Sequence, residues 1–313
     1  MSMFDLAIIG AGPVGLFATQ FANLHNLKTA TFEALDSAGG QVQMLFPNKN
    51  IQDIPTYSSI KGNQLVKKLK DNISEPVIVN NKIQMIEKKN DYFLLNNTYK
   101  AKTVLLTTGL GAFHPKKLPA KFDNEHIHYF MPDAQIYQNK IATVLGGGDS
   151  ALDWAIELAQ YCKEVNLIHR RNEFRGLESN LKTLQTLKNV KILTPYLPKD
   201  INVVDNLIQL QLKGVGNNDS SMIETNDIFV AYGYKSDNRL LKKWGLTLNQ
   251  EGILVDRSMA TNISGIYAAG DNVSYPGRVP MIALGFGEAQ IAISNIMAKL
   301  FPEKKITLHS TSI

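Results

Sequence analysis

Two glycine clusters carry the chemistry that this chain declares most openly. The first is Gly10-Ala11-Gly12-Pro13-Val14-Gly15. Glycines at Gly10, Gly12 and Gly15 permit a tight turn, close backbone approach to a pyrophosphate, and close packing of a helix on a strand. With Pro13 opening the helix, free N–H groups and the helix dipole would face the phosphates. Glu33 stands where the next strand should end, and a carboxylate there accepts hydrogen bonds from both ribose hydroxyls. The plainer alternative is a packing turn beside a solvated glutamate.

The second cluster is Gly146-Gly147-Gly148-Asp149-Ser150-Ala151, with Gly146, Gly148, Asp149 and Ser150 at the phosphate end. Gly10 to Glu33 spans 23 positions, and Gly146 to His169 spans the same 23. His169 therefore replaces the carboxylate, and Arg170 and Arg171 follow it, with Arg175 one turn on. A carboxylate repels a 2′-phosphate, whereas guanidinium groups clamp it through paired hydrogen bonds. The second unit is expected to bind NADP(H) rather than NAD(H); a solvated basic strand end is the alternative. One ribose-reading and one phosphate-reading module together predict hydride transfer from NADPH to a second dinucleotide, most simply FAD. Asp271, beyond the apolar run 265–269 and Gly270, suits the ribityl and pyrophosphate side of a flavin, although a turn or capping aspartate would look the same.

The elements that must hold these residues follow from apolar runs. Phe4–Ile9 reads as a strand, the stretch to about Asn26 as a helix, and Lys28–Glu33 as a second strand. The pattern returns as strand Ile141–Leu145, a helix from about Ser150 to Lys163, and strand Val165–His169. Shorter strands are expected at Val77–Val79, around Ile83, at Tyr92–Phe93, at Val104–Gly109 and at Gly265–Asp271. His114–Pro119 reads as a linker, because proline discourages helix before it, and Gly233–Asn238 is a second boundary candidate. The last helix is expected over about 283–300.

Composition narrows the setting. Hydrophobic residues at 44% and charged residues at 19% exclude a mainly disordered chain. The net charge of +5 is too diffuse to argue for nucleic acid. Residues 6–27 lack Asp, Glu, Lys and Arg, a length that raises a membrane anchor. Yet Asp5 precedes the run and Gly10, Gly12, Pro13, Gln20 and Asn23 interrupt it, so a buried strand–turn–helix in a soluble, cytoplasmic protein is expected. The lone Cys162 excludes an intramolecular disulfide and a thiolate zinc site, and its place near Leu152, Ala155 and Ala159 reads as a small buried hydrophobe. No metal is expected.

Gly10–Gly15, Gly39-Gly40-Gln41, Thr107-Thr108-Gly109, Gly146–Ala151, His169-Arg170-Arg171 and Ala269-Gly270-Asp271 together resemble the low-molecular-weight thioredoxin reductases over essentially the whole chain. One departure matters. The Cys-x-x-Cys slot of those enzymes is occupied by about His128–Met131, so no dithiol can pass electrons to thioredoxin. The chain more closely resembles the thioredoxin-reductase-like ferredoxin/flavodoxin–NADP⁺ reductases, including Leu145–Ala151 with Asp153-Trp154-Ala155 and the tail Leu308–Ser312. That resemblance implies FAD contacts from Glu33, Gln41, the Ile83 backbone, Phe113, Asp271 and Thr311. It also implies that Phe46, where the family usually carries Tyr, stacks on one flavin face and His309 on the other. Ile83 and Phe113 could equally be plain core residues.

The expected fold is α/β, with two Rossmann-like domains and no redox cysteine pair: a discontinuous FAD domain, 1–113 plus 245–313, and an inserted NADPH domain, 114–244. The resemblance implies a homodimer that passes electrons between NADPH and ferredoxin or flavodoxin, without a side-chain acid or base. Lys61, Lys67, Lys68, Lys116, Lys117 and Lys121 would steer an acidic partner, or simply be solvated. A flavoprotein reducing small molecules or oxygen, a thioredoxin-type disulfide reductase and a non-catalytic nucleotide sensor are the rival readings.

Overall fold

A strand that is apolar at every position must be covered on both faces, because its side chains alternate in direction. Leu6, Ala7, Ile8 and Ile9 are all buried, and the computed structural model shows what covers them. The structure describes residues 3–109, 111–131, 133–204, 207–250 and 252–304. The chain divides into two compact units, Met1–Ala112 with Ser236–Ile313, and Phe113–Lys235.

In the first unit, strand Met3–Ile9 lies between Thr29–Phe32 and Tyr99–Leu106, all parallel. The edge of Tyr99–Leu106 serves two partners. Its first half pairs antiparallel with Phe93–Leu95, and Val104–Leu106 pairs parallel with the returning strand Ile266–Ala268. Leu6 and Ile8 face helices Pro13–Leu24 and Ile282–Leu300 through Ala18, Ala22, Ala289, Ala292 and Ile293. Ala7 and Ile9 face the opposite layer, which includes Phe93, Leu241, Trp244 and Ile253.

The second unit repeats the device. Its five-stranded sheet runs Val190–Leu193, Glu164–Ile168, Ile141–Leu145, Asp227–Val230, Ile127–His128, every neighbour parallel. Ala142, Val144, Val165 and Leu167 pack under helix Asp149–Ala159. Leu145, Ile168, Ile228 and Val230 pack on Ile208, Leu210 and Leu212. Those three belong to a separate antiparallel sheet of Tyr196–Val204, Leu207–Gly214 and Ser220–Thr225.

Several expected boundaries move. The return to the first unit falls at 235/236, inside the candidate stretch Gly233–Asn238 and ahead of 244/245. The reason is helix Arg239–Lys243, whose Leu241 is buried in the first unit's core with Trp244, the latter donating its indole N–H to Gln84 O at 3.2 Å. The expected linker begins as strand Ala112–Pro115, which pairs with Tyr234–Asp237. The helix expected to reach Lys163 ends at Ala159. Cys162 lies beyond it, yet is buried in the same cluster because its N–H still bonds to Leu158 O at 2.8 Å. At 77–79 only Ile78 bridges to Phe32, and Ile83 lies in no strand. Among the described residues no helix is long and apolar enough to cross a membrane.

Candidate functional site

In the first unit the glycines divide into two kinds. A Cβ on Gly10, at φ +104°, would stand 2.5 Å from Thr107 O, and one on Gly15 would stand 1.9 Å from Gly10 O. These two exist for packing, and the Thr107 hydroxyl ties them by donating to Gly10 O at 2.7 Å. Gly12 differs: a Cβ there would meet nothing nearer than Gly40 Cα at 4.0 Å. It caps helix Pro13–Leu24 without a side-chain bond and with no acidic residue in the first turn. Gly39 donates its N–H to Ala11 O at 2.8 Å, which brings the start of helix Gly40–Leu45 against Gly12. Two helix N-termini thus converge on one backbone cradle.

Glu33 is fixed beside that cradle. Its Oε2 accepts from Ala11 N–H at 2.9 Å and its Oε1 from Leu35 N–H at 3.0 Å. Each carboxylate oxygen has a second lone pair, so the group retains acceptor capacity. Gln41 lies in the first turn of helix Gly40–Leu45, and Phe46 caps its end with the Lys49 ammonium 5.4 Å from its ring centroid. The Ile83 side chain is a core residue, so a nucleotide contact from it is left to the backbone. Phe113, as a side chain, and His309 and Thr311 lie outside the described residues.

Asp271 follows strand Ile266–Ala268 and sits in a network that sequence reading missed. Arg278 donates from Nη2 to Asp271 Oδ1 at 3.1 Å and from Nε to Glu288 Oε1 at 2.9 Å. Glu288 also accepts from the Tyr275 hydroxyl and from Gly270 N–H, both at 2.7 Å. Burial, then the bond to Glu288, pushes the Tyr275 phenol up to about 12. The available signal was the single carboxylate in the otherwise apolar run of helix Ile282–Leu300. Beside this turn, Asn272 donates to Leu106 O and to the Thr108 hydroxyl, while its buried Oδ1 has no partner. The open cradle at Gly12, the fixed carboxylate and this orphaned amide oxygen fit a polar, phosphate-bearing dinucleotide such as FAD.

The second unit has the same layout with other side chains. A Cβ on Gly146 would stand 2.6 Å from Ala231 O, whereas one on Gly148 would meet nothing within 4 Å. Gly148 caps helix Asp149–Ala159, and Ala151 takes the third glycine's place with its side chain fully buried. The segment after His169 folds back over this turn. Arg175 N–H donates to Gly147 O at 2.7 Å, and Leu177 N–H to Asp149 Oδ1 at 2.9 Å. Ser150 follows in the first helical turn.

The His169 ring lies against Gly147, where a Cβ would meet it at 2.5 Å, and tilts on Phe174 at 5.2 Å between centroids. Its Nε2 is buried without a partner. Burial, then the charges of Arg170, Arg171 and Arg175, push its pKa below the ordinary value. All three arginine charges bear on His169, and the arginine residues themselves are exposed. An open glycine cradle and three exposed cations fit a nucleotide carrying an extra phosphate.

A polar cluster lies at the opposite edge of this sheet, where strand Asp227–Val230 begins. Asp227 Oδ1 accepts from His128 Nε2 at 2.9 Å and from His126 Nδ1 at 3.3 Å, and Oδ2 from Lys140 at 3.2 Å. Burial pushes this carboxyl up, but those bonds outweigh it and hold Asp227 below the usual range. The nearby Cys162 thiol is pushed up to about 11, chiefly by burial. Of the lysines, Lys67 pairs with Asp71 at 2.6 Å, and Lys121 stands 3.9 Å from Asp200. Among the described residues no group of His, Cys, Asp and Glu could hold a metal ion.

Comparison with known proteins places the chain in a family. The family model for pyridine nucleotide-disulphide oxidoreductases matches residues 4–294. The chain is 56% identical to a ferredoxin–NADP reductase of Lactobacillus gasseri over the full length of both. It is 38% identical to ferredoxin–NADP reductase 2 of Latilactobacillus sakei, covering 99% of this chain and 98% of that one. Among solved structures, Lactococcus lactis thioredoxin reductase in its FR conformation superimposes with a TM-score of 0.78 at 25% identity, covering 96% and 100% of the two chains. The thioredoxin reductase of T. acidophilum shares the fold with a TM-score of 0.79. The chain belongs to the pyridine nucleotide-disulphide oxidoreductases and, within them, to the family of the ferredoxin–NADP reductases.

Proposed function

We propose that this enzyme carries electrons between NADPH and ferredoxin, with flavodoxin as an alternative partner, and that it works as a cytoplasmic homodimer. The observation that carries the reading is the contrast between two otherwise equivalent units. One ends its second strand in Glu33, held by backbone N–H groups, and the other in His169 under three arginine charges. The first suits the ribose of FAD and the second the 2′-phosphate of NADPH.

FAD and NADPH, when bound, supply the hydride and single-electron chemistry. The chain's own residues bind and order them. Gly12 and Gly40 admit a pyrophosphate to two helix N-termini, Gln41 and Asp271 hold the flavin side, and Phe46 offers an aromatic face. Gly148, Asp149 and Ser150 line the second phosphate cradle, and Arg170, Arg171 and Arg175 select the phosphorylated nucleotide. Phe113, His309 and Thr311 complete the flavin site on the same family reading.

Disulfide reduction is the weaker reading, because the single cysteine is buried and its thiol resists ionisation. The test is NADPH-driven reduction of ferredoxin, flavodoxin and thioredoxin measured side by side. Ferredoxin or flavodoxin reduction is expected, slowing as salt rises because exposed charges are screened beyond ~8–10 Å. Efficient thioredoxin reduction without the other two would overturn the assignment.

A further inference from the structure

Glu288 is 1% exposed and Arg278 8%, in the middle of an apolar helix and the loop before it. A buried ion pair of this kind is weak evidence for stability, since well-packed apolar residues often do as well. Packing alone therefore does not ask for it. What the pair does is directional. Glu288 takes one arm of the Arg278 fork and the Gly270 N–H, and the other arm of the fork reaches Asp271, whose carboxylate is 45% exposed. The planar guanidinium has no freedom to turn once Nε is bound. Both sides of the Gly270–Asp271 turn are thus held from one buried carboxylate, and Tyr275 donates to the same Oε1 that Arg278 binds.

We propose that Arg278 and Glu288 are positioning residues that act through Asp271, aiming its carboxylate at the flavin and setting the local charge there. The proposal rests on the flavin assignment above. Three charged groups meet at this turn, two negative and one positive. Loss of Arg278 would leave Asp271 free to rotate and Glu288 buried without its cation.

The test is a double-mutant cycle read in the FAD dissociation constant of the full chain, followed by flavin fluorescence. Arg278→Ala is expected to weaken FAD binding about ten- to hundredfold and to shift the visible flavin band, with NADP⁺ affinity unchanged. In an Asp271→Asn background the same substitution should change FAD affinity by no more than about twofold, because its route of action is gone. Arg278→Lys, which keeps a cation within reach, should restore part of the affinity. Equal affinity and an unshifted band in folded Arg278→Ala would overturn the proposal, as would fully additive effects in the cycle. Should Arg278→Ala not fold, Arg278→Gln keeps the stem and an N–H donor and runs the same cycle. A parent protein that binds no FAD would instead overturn the flavin assignment.

Discussion

The two glycine units fold alike and differ at the positions proposed to meet ligand, and the difference separates what a nucleotide fold needs from what a particular nucleotide needs. Gly10 and Gly146 sit where a Cβ would strike backbone, so neither unit can give them up. Gly12 and Gly148 have room for a side chain, so packing does not require glycine there, as the proposed phosphate contacts would. The third position divides the units: Gly15 has no space at all, whereas Ala151 is accommodated. The strand ends part further, with Glu33 satisfied on both oxygens by backbone and His169 left with a buried nitrogen unpaired.

The comparison breaks first at the packing glycines. Gly15→Ala should cost about 3 kcal/mol or more, because the new methyl overlaps Gly10 O, while Ala151→Gly should cost about 1 kcal/mol through chain entropy. Urea midpoints of the two variants decide it; equal losses would mean the first turn relaxes freely. Next come the arginines. Arg170→Ala with Arg171→Ala removes charge-assisted contacts of about 1.5–3 kcal/mol each, so the kcat/KM preference for NADPH over NADH should fall about a hundredfold or more. An unchanged preference would place the 2′-phosphate elsewhere.

Smaller effects sharpen the contrast. Gly148→Ala should leave Tm unchanged and weaken NADP⁺ about tenfold, and Gly12→Ala should do the same for FAD. A loss of stability instead would return these glycines to packing. The smallest effect concerns pH. His169 has a folded pKa below its unfolded value, so the unfolded chain takes up the proton first as pH falls. Its contribution is present above the unfolded pKa and is lost as pH drops through and below it. Stability should therefore fall on acidification, and His169→Gln should flatten that slope in urea titrations from pH 7.5 to pH 5 ~ a range set by the ordinary histidine value.

Much of this was legible in the sequence because it is local. The strand at Ile141–Leu145 lies where the apolar run places it, and the strand–glycine–helix order of both units reads off a few residues. What escaped depends on distant partners. Nothing near Glu288 announces Arg278 or Gly270, and Asp227 gathers His126, His128 and Lys140 from two other segments. The boundary was half legible: Gly233–Asn238 reads as one, but the following segment was left with the inserted unit, because Leu241 and Trp244 are ordinary apolar residues until the core they fill is known.

The shared edge of strand Tyr99–Leu106 also sets a timetable for synthesis. Phe113–Lys235 is contiguous and can close its sheet once it has left the ribosome. The first unit cannot, since Val104–Leu106 must wait for Ile266–Ala268. During that wait an apolar strand edge stands unpaired, an invitation to pair with another chain. The inserted unit is thus born finished, and the unit that begins the chain is the last to be completed.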